Sequence, residues 1–373
     1  MKSIVLWLIG GILWSQTHVR RLDGASLSPA ALDATIERLM AAGNVHGLGV
    51  SVLNDGQVAY SRTFGLRDAS RGLPLTPETV LCAHSFTKSA FATLVMGLVQ
   101  EGALDLDKPI AAYLPKPLPE YEKYKDLATD GRHRKLTLRI LLGHTAGFAN
   151  YAFMEPDGKL RIHFEPGSRY AYSGEGINLA QLVVESATGK GVAALMEERF
   201  YRPLGMKRSA MTWREDFAAN FAVGHDPDGR PLEYRRRSSA RAAGTMVTTL
   251  PDFTAFMVAL MQDQLLNAKS KAEMLKPRIR IRSRNQFPTL SGETTRENDG
   301  IQLSYGVGWG LFKSKKHGWA YFKEGHDDGW WNHVVCFEDK RTALILMSNS
   351  QNAVGIFKAL LEEILGDTET PWR

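Results

Sequence analysis

The chain has 373 residues, 44% of them hydrophobic and 23% charged, a balance that suits a globular protein with room for two lobes and excludes a disordered or fibrous one. A formal charge of +6 is a mild excess over so large a surface and does not argue for a nucleic-acid partner. The two cysteines, Cys82 and Cys336, lack the Cys-x-x-Cys or Cys/His spacing of zinc and redox sites; a single disulfide and two small buried thiols both fit.

The first residues, MKSIVLWLIGGILWSQTHVRR, place Lys2 ahead of an unbroken apolar run from Ile4 to Trp14. That run has the length of a signal-peptide core and is too short to span a bilayer. Residues 1–18 are therefore expected to act as a signal peptide, with the protein exported to the periplasm or secreted. No small-residue cleavage pattern follows, so an uncleaved N-terminal anchor, with membrane association through it, is the alternative.

Next, LSPAALDATIERLMAAG predicts a helix with Ser28 as cap, Pro29 in its first turn and Gly43 beyond its end. The stretch GLGVSVLNDGQVAYSRTFG alternates about Asn54, Asp55 and Gly56 and predicts a β-hairpin. Helical patterns broken by Pro/Gly-rich loops run from about Ser85 to Gln264. KPRIRIRSRNQ then sets Arg278, Arg280, Arg282 and Arg284 on alternate positions, which share a face on a strand. A solvated edge that discourages aggregation is the plain reading of these arginines, and a rim attracting an anionic substrate the alternative. The chain ends on strands in YGVGWGLF, NHVVCFED and TALILMSNS and a helix in AVGIFKALLEEILG. Strands at both ends with helices between predict an α/β (α+β) architecture, one sheet assembled from the two termini with a helical lobe inserted.

Chemistry concentrates in LCAHSFTKSAFATLVMGLVQEG, where hydroxyls and a lysine stand at the mouth of an otherwise apolar helix. Residues three apart on a helix lie one turn from each other, so the Lys88 amine can reach the Ser85 hydroxyl. A serine needs a neighbouring base to become a nucleophile, and burial makes a lysine easier to deprotonate. The N–H of Ser85, free at the helix start, can donate to an oxyanion. Ser-x-x-Lys alone is common by chance, and a helix cap with a lysine snorkelling to solvent is its plain reading. Against that, the helix is apolar nearly all round and should be buried, and a buried lysine must have a partner.

With its flanks, TPETVLCAHSFTKSAFATLVMGLVQEGALDLDKPI resembles the segment around the nucleophile of serine β-lactamases and penicillin-binding proteins, in particular class C β-lactamases and their esterase and D-peptidase relatives. The likeness continues in order through LTLRILLGHTAGF, FEPGSRYAYSGEGINLAQLVVESATGKG, YRPLGMKRSAM, YGVGWG and EGHDDGWWNHVV, and spans the chain from about residue 27 onward. It implies a β-lactamase-like sandwich over residues 27–373: an antiparallel sheet from both chain ends, flanked by helices, with an all-helical lobe at roughly 85–290.

It also implies site residues. Ser85 would be the acylated nucleophile, Lys88 its activating partner and Tyr172 the phenol that shuttles a proton to the leaving group. His326 would head the third motif, and the Gly329 N–H would join that of Ser85 in the oxyanion hole. If His326 acts in its protonated form, activity should fall as pH rises through its pKa. Two departures stand out. Gly174 occupies the place of the asparagine in the family's Tyr-x-Asn, and Asp328 the place of the glycine in its Lys-Thr-Gly or His-x-Gly; both bear on substrate binding and turn the expectation away from β-lactams. Trp330 and Trp331 are expected to line or cover the cleft, with core packing as the alternative. His144 in GHTAG is expected to hold loops in place. His326, Asp327 and Asp328 alternate faces on a strand and do not make a metal site.

The expected activity is that of a serine hydrolase working through an acyl-enzyme on a β-lactam, a small ester or a D-amino-acid peptide, without metal or organic cofactor. The alternative is a penicillin-recognising binding or sensor protein that acylates slowly or does not react.

Overall fold

The structure is a computed structural model describing residues 18–371, so the predicted leader lies outside the described residues. Helix α1 (Pro29–Ala42) begins where the Ser28 side chain accepts the Ala31 N–H and stops at Gly43, as its capping residues predict. Strands β1 (Gly47–Asn54) and β2 (Gln57–Asp68) form the expected hairpin. Asp55 and Gly56 in its turn have φ of 53° and 71°, the two left-handed positions of a type I′ turn. The short edge strand β3 (Leu73–Pro74) follows, then the long helices α2 (Phe86–Gln100), α3 (Gly174–Thr188) and α4 (Leu250–Met261). The chain closes with β4 (Ile279–Arg280), β5 (Ser304–Tyr305), β6 (Gly310–Ser314), β7 (Gly318–Asp327), β8 (Trp330–Phe337), β9 (Thr342–Ser348) and helix α5 (Val354–Leu360).

These strands make one nine-stranded antiparallel sheet in the order β4-β5-β6-β7-β8-β9-β1-β2-β3. The last strand pairs with the first long one, Leu346 opposite Val50, so both ends of the chain build its centre. Alternate residues of β9 feed two cores. Leu344 and Leu346 pack with α1 and α5 through Ile36, Phe357 and Leu360, while Ile345 and Met347 pack with α2 and α4 through Phe91, Phe253 and Phe256. With both faces covered, β9 is buried along its whole length, which is why it reads as a continuous apolar run.

The inserted lobe is not all-helical. Leu81–Cys82 pairs with Val247–Thr248, and Gly224–His225 with Pro231–Leu232. Pairs this short carry no periodicity for a sequence to display. Cys82 and Cys336 are both free and buried. Only Ile279 and Arg280 of the arginine stretch form a strand, at the sheet edge, and Arg278, Arg282 and Arg284 face Glu273, Asp299 and Glu293, a paired and solvated edge. Among the described residues no helix is long and apolar enough to cross a membrane.

Candidate active site

The site is built from the start of α2. Ala83 is fixed by its N–H to Met246 O at 3.0 Å, and His84 is left-handed at φ 47°. Ser85 follows as the N-terminal boundary residue, yet its hydroxyl caps nothing. Instead Oγ receives Lys88 Nζ at 2.9 Å and the Tyr172 hydroxyl at 2.8 Å. Lys88 is 1% exposed and donates also to Ala243 O. A solvent-snorkelling lysine and a capping serine are thereby both excluded. Burial, with help from the charge of Lys323, pushes the Lys88 pKa well below its ordinary value. Burial pushes the Tyr172 phenol well above its own, so it is a neutral hydroxyl at neutral pH.

Tyr172 is held by His144. The carbonyl of His144 accepts the Ala171 N–H at 2.8 Å, its Nδ1 accepts the Ser173 N–H at 3.1 Å, and its ring lies 4.4 Å from that of Tyr172. Since Nδ1 accepts, the proton is on Nε2, and burial keeps the imidazole neutral. His144 itself is left-handed at φ 55°, a conformation asparagine shares more readily than alanine. His144→Ala should therefore lose about 1–3 kcal/mol of unfolding free energy by orphaning the buried Ser173 N–H, and His144→Asn, which returns an acceptor, should recover part of it. Urea denaturation of the two variants checks this.

The second wall is β7. A Cβ built on Gly325 would lie 3.1 Å from both the Ser85 and the Phe86 nitrogens, so the strand passes α2 at backbone contact and glycine is required there. Lys323, two residues earlier on the same face, is 4% exposed, donates to Glu324 O at 2.9 Å and stands 5.1 Å over the Tyr172 ring. Burial lowers its pKa to about 8. Lys323 and Gly325 fall outside the residues expected from the sequence, although Lys323-Glu324-Gly325 is itself a Lys-x-Gly and signals them.

Starting the third motif at His326 placed its residues wrongly. Asp328 and Gly329 form the two-residue turn between β7 and β8, whose flanking pair is Asp327 and Trp330. Asp328 is exposed there and does not obstruct the strand. The Gly329 N–H is donated to Gln351 Oε1 at 2.7 Å and is not offered to an oxyanion. Trp330 is 4% exposed, packed between Gly224, Phe221 and His84, so it belongs to the core and not to the cleft lining. The His326 ring stacks on Trp331, its cross-strand partner, at 4.3 Å. Burial lowers its pKa to about 4, so it is neutral between pH 5 and 8 and the protonated role is corrected. Gly174 opens α3 and donates its N–H to Asn150 Oδ1 at 2.9 Å. Among the described residues no cluster of three or more His, Cys, Asp or Glu side chains is placed to hold a metal ion.

Against known proteins, the family model described as Beta-lactamase matches residues 32–365. The chain belongs to this family. It is 30% identical to esterase EstB of Burkholderia gladioli over 58% of this chain and 59% of EstB, and so spans under two thirds of that protein. It is 24% identical to a D-aminopeptidase of Gluconobacter oxydans over 92% of this chain and 63% of that enzyme. In fold it is similar to an octameric penicillin-binding protein homologue from Pyrococcus abyssi, with TM-score 0.71 and 22% identity over 91% of this chain and 79% of that one. The D-alanine carboxypeptidase AmpC of Burkholderia cenocepacia gives TM-score 0.69 and 20% identity over 88% and 97%.

Proposed function

We propose that the protein is a serine hydrolase that forms an acyl-enzyme on Ser85, with carboxylic esters as its preferred substrates. The observation that carries this is the chain Lys88 Nζ, Ser85 Oγ, Tyr172 OH, closed by bonds of 2.9 and 2.8 Å at a helix start whose serine is not spent on capping.

Lys88, neutral because it is buried, takes the Ser85 proton as Oγ attacks the substrate carbonyl. The negative charge that develops on the carbonyl oxygen is met by the Ser85 N–H at the start of α2. A second donor is the N–H of His326. A two-residue turn closes on a hydrogen-bonded pair, here Asp327 and Trp330, and bonded pairs alternate along the hairpin. His326 and Trp331 are therefore a non-bonded pair, and the His326 N–H points away from β8. On that side β6 no longer runs, because its last partner on β7 is Phe322. His326 thus contributes through its backbone. The neutral Tyr172 hydroxyl gives its proton to the leaving alkoxide as the ester bond breaks, and the proton held by Lys88 restores the phenol. Water then attacks the acyl-serine with Lys88 again as base, releasing the acid.

Esters are favoured over β-lactams because Gly174 offers no amide to an acylamino side chain, and the esterase relative supports the same choice. The apolar run at residues 4–14 supports export.

The test is intact-mass analysis of protein quenched during turnover of a p-nitrophenyl ester and, separately, of a chromogenic cephalosporin. The expected result is multiple turnover of the ester with a transient acyl adduct on the peptide containing Ser85, and much slower release from the cephalosporin. A stable ester adduct without turnover would support the binding or sensor alternative, and no adduct from either would overturn the acyl-enzyme.

A further inference from the structure

The glycine at position 174 leaves a space that an aromatic ring from another loop fills. A Cβ built on Gly174 would lie 2.5 Å from Cε1, 2.7 Å from Cζ and 2.8 Å from the hydroxyl oxygen of Tyr151. Residue 174 and Tyr151 are thus coupled, since any side chain at 174 displaces the ring. Tyr151 is stacked on Phe153 with centroids 5.4 Å apart and planes within 9°. Phe287 meets Tyr172 edge-on at 5.9 Å and His326 at 5.8 Å, so it stands over the site.

Among the described residues, the large hydrophobic side chains left exposed are Phe153, Met154 and Phe287, at 75%, 56% and 39%. Apolar side chains scattered singly over a surface need no account, but Phe287 packs on the tyrosine bonded to the nucleophile and Phe153 stacks on the ring that fills the space at Gly174. Phe153 extends the Tyr151 ring beside Gly174, two residues from Tyr172, and Phe287 contacts Tyr172 itself. Since the Tyr172 hydroxyl is 2.8 Å from Ser85 Oγ, a group bound at the serine lies beside the tyrosine that Phe287 contacts, with Tyr151 and Phe153 further along the same loop side at Gly174.

We propose that Tyr151, Phe153 and Phe287 form an apolar subsite continuous with Ser85, and that its occupant is the hydrocarbon part of the ester substrate. The subsite selects chains of about four or more carbons, or aryl groups, over acetyl esters of small alcohols. This rests on the acyl-enzyme reading above and names the substrate class for it. Rings that bury a chain discriminate by its length, each added methylene contributing until the rings are covered. The hydrocarbon can belong to the acyl or to the alcohol side of the ester, and two substrate series separate these.

In one series the p-nitrophenyl leaving group is constant and the acyl chain runs from acetate to octanoate. In the other the acyl group is acetate and the alcohol lengthens, with the acid released followed by pH-stat. Both are measured on the wild type and on Phe153→Ser and Phe287→Ser, singly and together; both side chains are exposed, so the variants are expected to fold. The expected result is that kcat/KM rises by at least tenfold from two to six carbons in one series. The double variant then flattens that rise by about tenfold, the equivalent of two buried methylenes. Which series responds assigns the side of the ester. A wild-type rise that both variants leave intact, or no rise in either series, overturns the subsite while acetate turnover keeps the hydrolase reading standing. Absence of turnover on every ester would instead sink that reading. Self-association of the wild type that both serines abolish, with chain-length preference unmoved, would make the patch an interface between copies and also overturn the proposal.

Discussion

Ser85→Ala, Lys88→Met and the double variant are expected to fall to one common floor, about ten-thousand-fold below the wild type in kcat for a p-nitrophenyl ester. A nucleophile and its base act as a unit, so removing the second after the first costs nothing more. The Lys88 amine and the Ser85 hydroxyl are 2.9 Å apart, and neither has a substitute at that place. Methionine keeps the length of the lysine stem, and α2 around it is buried from Phe86 to Met96, so packing is preserved. The change leaves Ala243 O without its donor but also removes a buried amine, two effects of opposite sign. Stability should therefore shift by less than about 2 kcal/mol, which urea denaturation checks alongside the kinetics. Full activity in Lys88→Met would take the base role from Lys88. A double variant well below both single ones would show that the two residues act independently.

The second large effect is on pH dependence. Lys323 is held at about 8 by burial, so it carries its proton below that pH and loses it above. While charged, it helps to keep Lys88 deprotonated and places a positive charge near the Tyr172 ring, which favours the phenol giving its proton to the leaving group. kcat/KM should thus be high at pH 6–7 and fall as pH rises through about 8. Lys323→Met should abolish that alkaline limb and lower the plateau by about ten- to a hundredfold. His326 loses its proton near pH 4, below the measured range, so His326→Ala should leave the profile between pH 5 and 9 unchanged in shape. Initial rates across that range, corrected for spontaneous ester hydrolysis, decide the matter. A limb near pH 8 that survives in Lys323→Met would assign the titration to another group.

Much of this was legible in the sequence where the cause is local. The Ser28 cap, Pro29 and Gly43 bound α1, and Asp55-Gly56 closes the first hairpin, because capping and left-handed turns depend on residues a few positions apart. Ser85 and Lys88 meet for the same reason, one turn of a helix separating them. The family likeness brought Tyr172, which nothing local would mark, to the same serine.

Tertiary structure decided what depends on register and on foreign loops. A frame starting at His326 lies three residues from one starting at Lys323, and on a strand an odd offset exchanges the two faces. It set Asp328 and Gly329 in the cleft when they belong to a turn, and hid Lys323 and Gly325, whose proximity to Ser85 comes from the seating of β7 on α2. His144 shows the same limit, since its grip on Tyr172 joins segments that meet only when the chain has folded. Tyr151 shows it most plainly. That residue 174 is glycine is written in the chain, but that a tyrosine ring takes the vacated space follows from packing between loops, which sequence spacing does not encode.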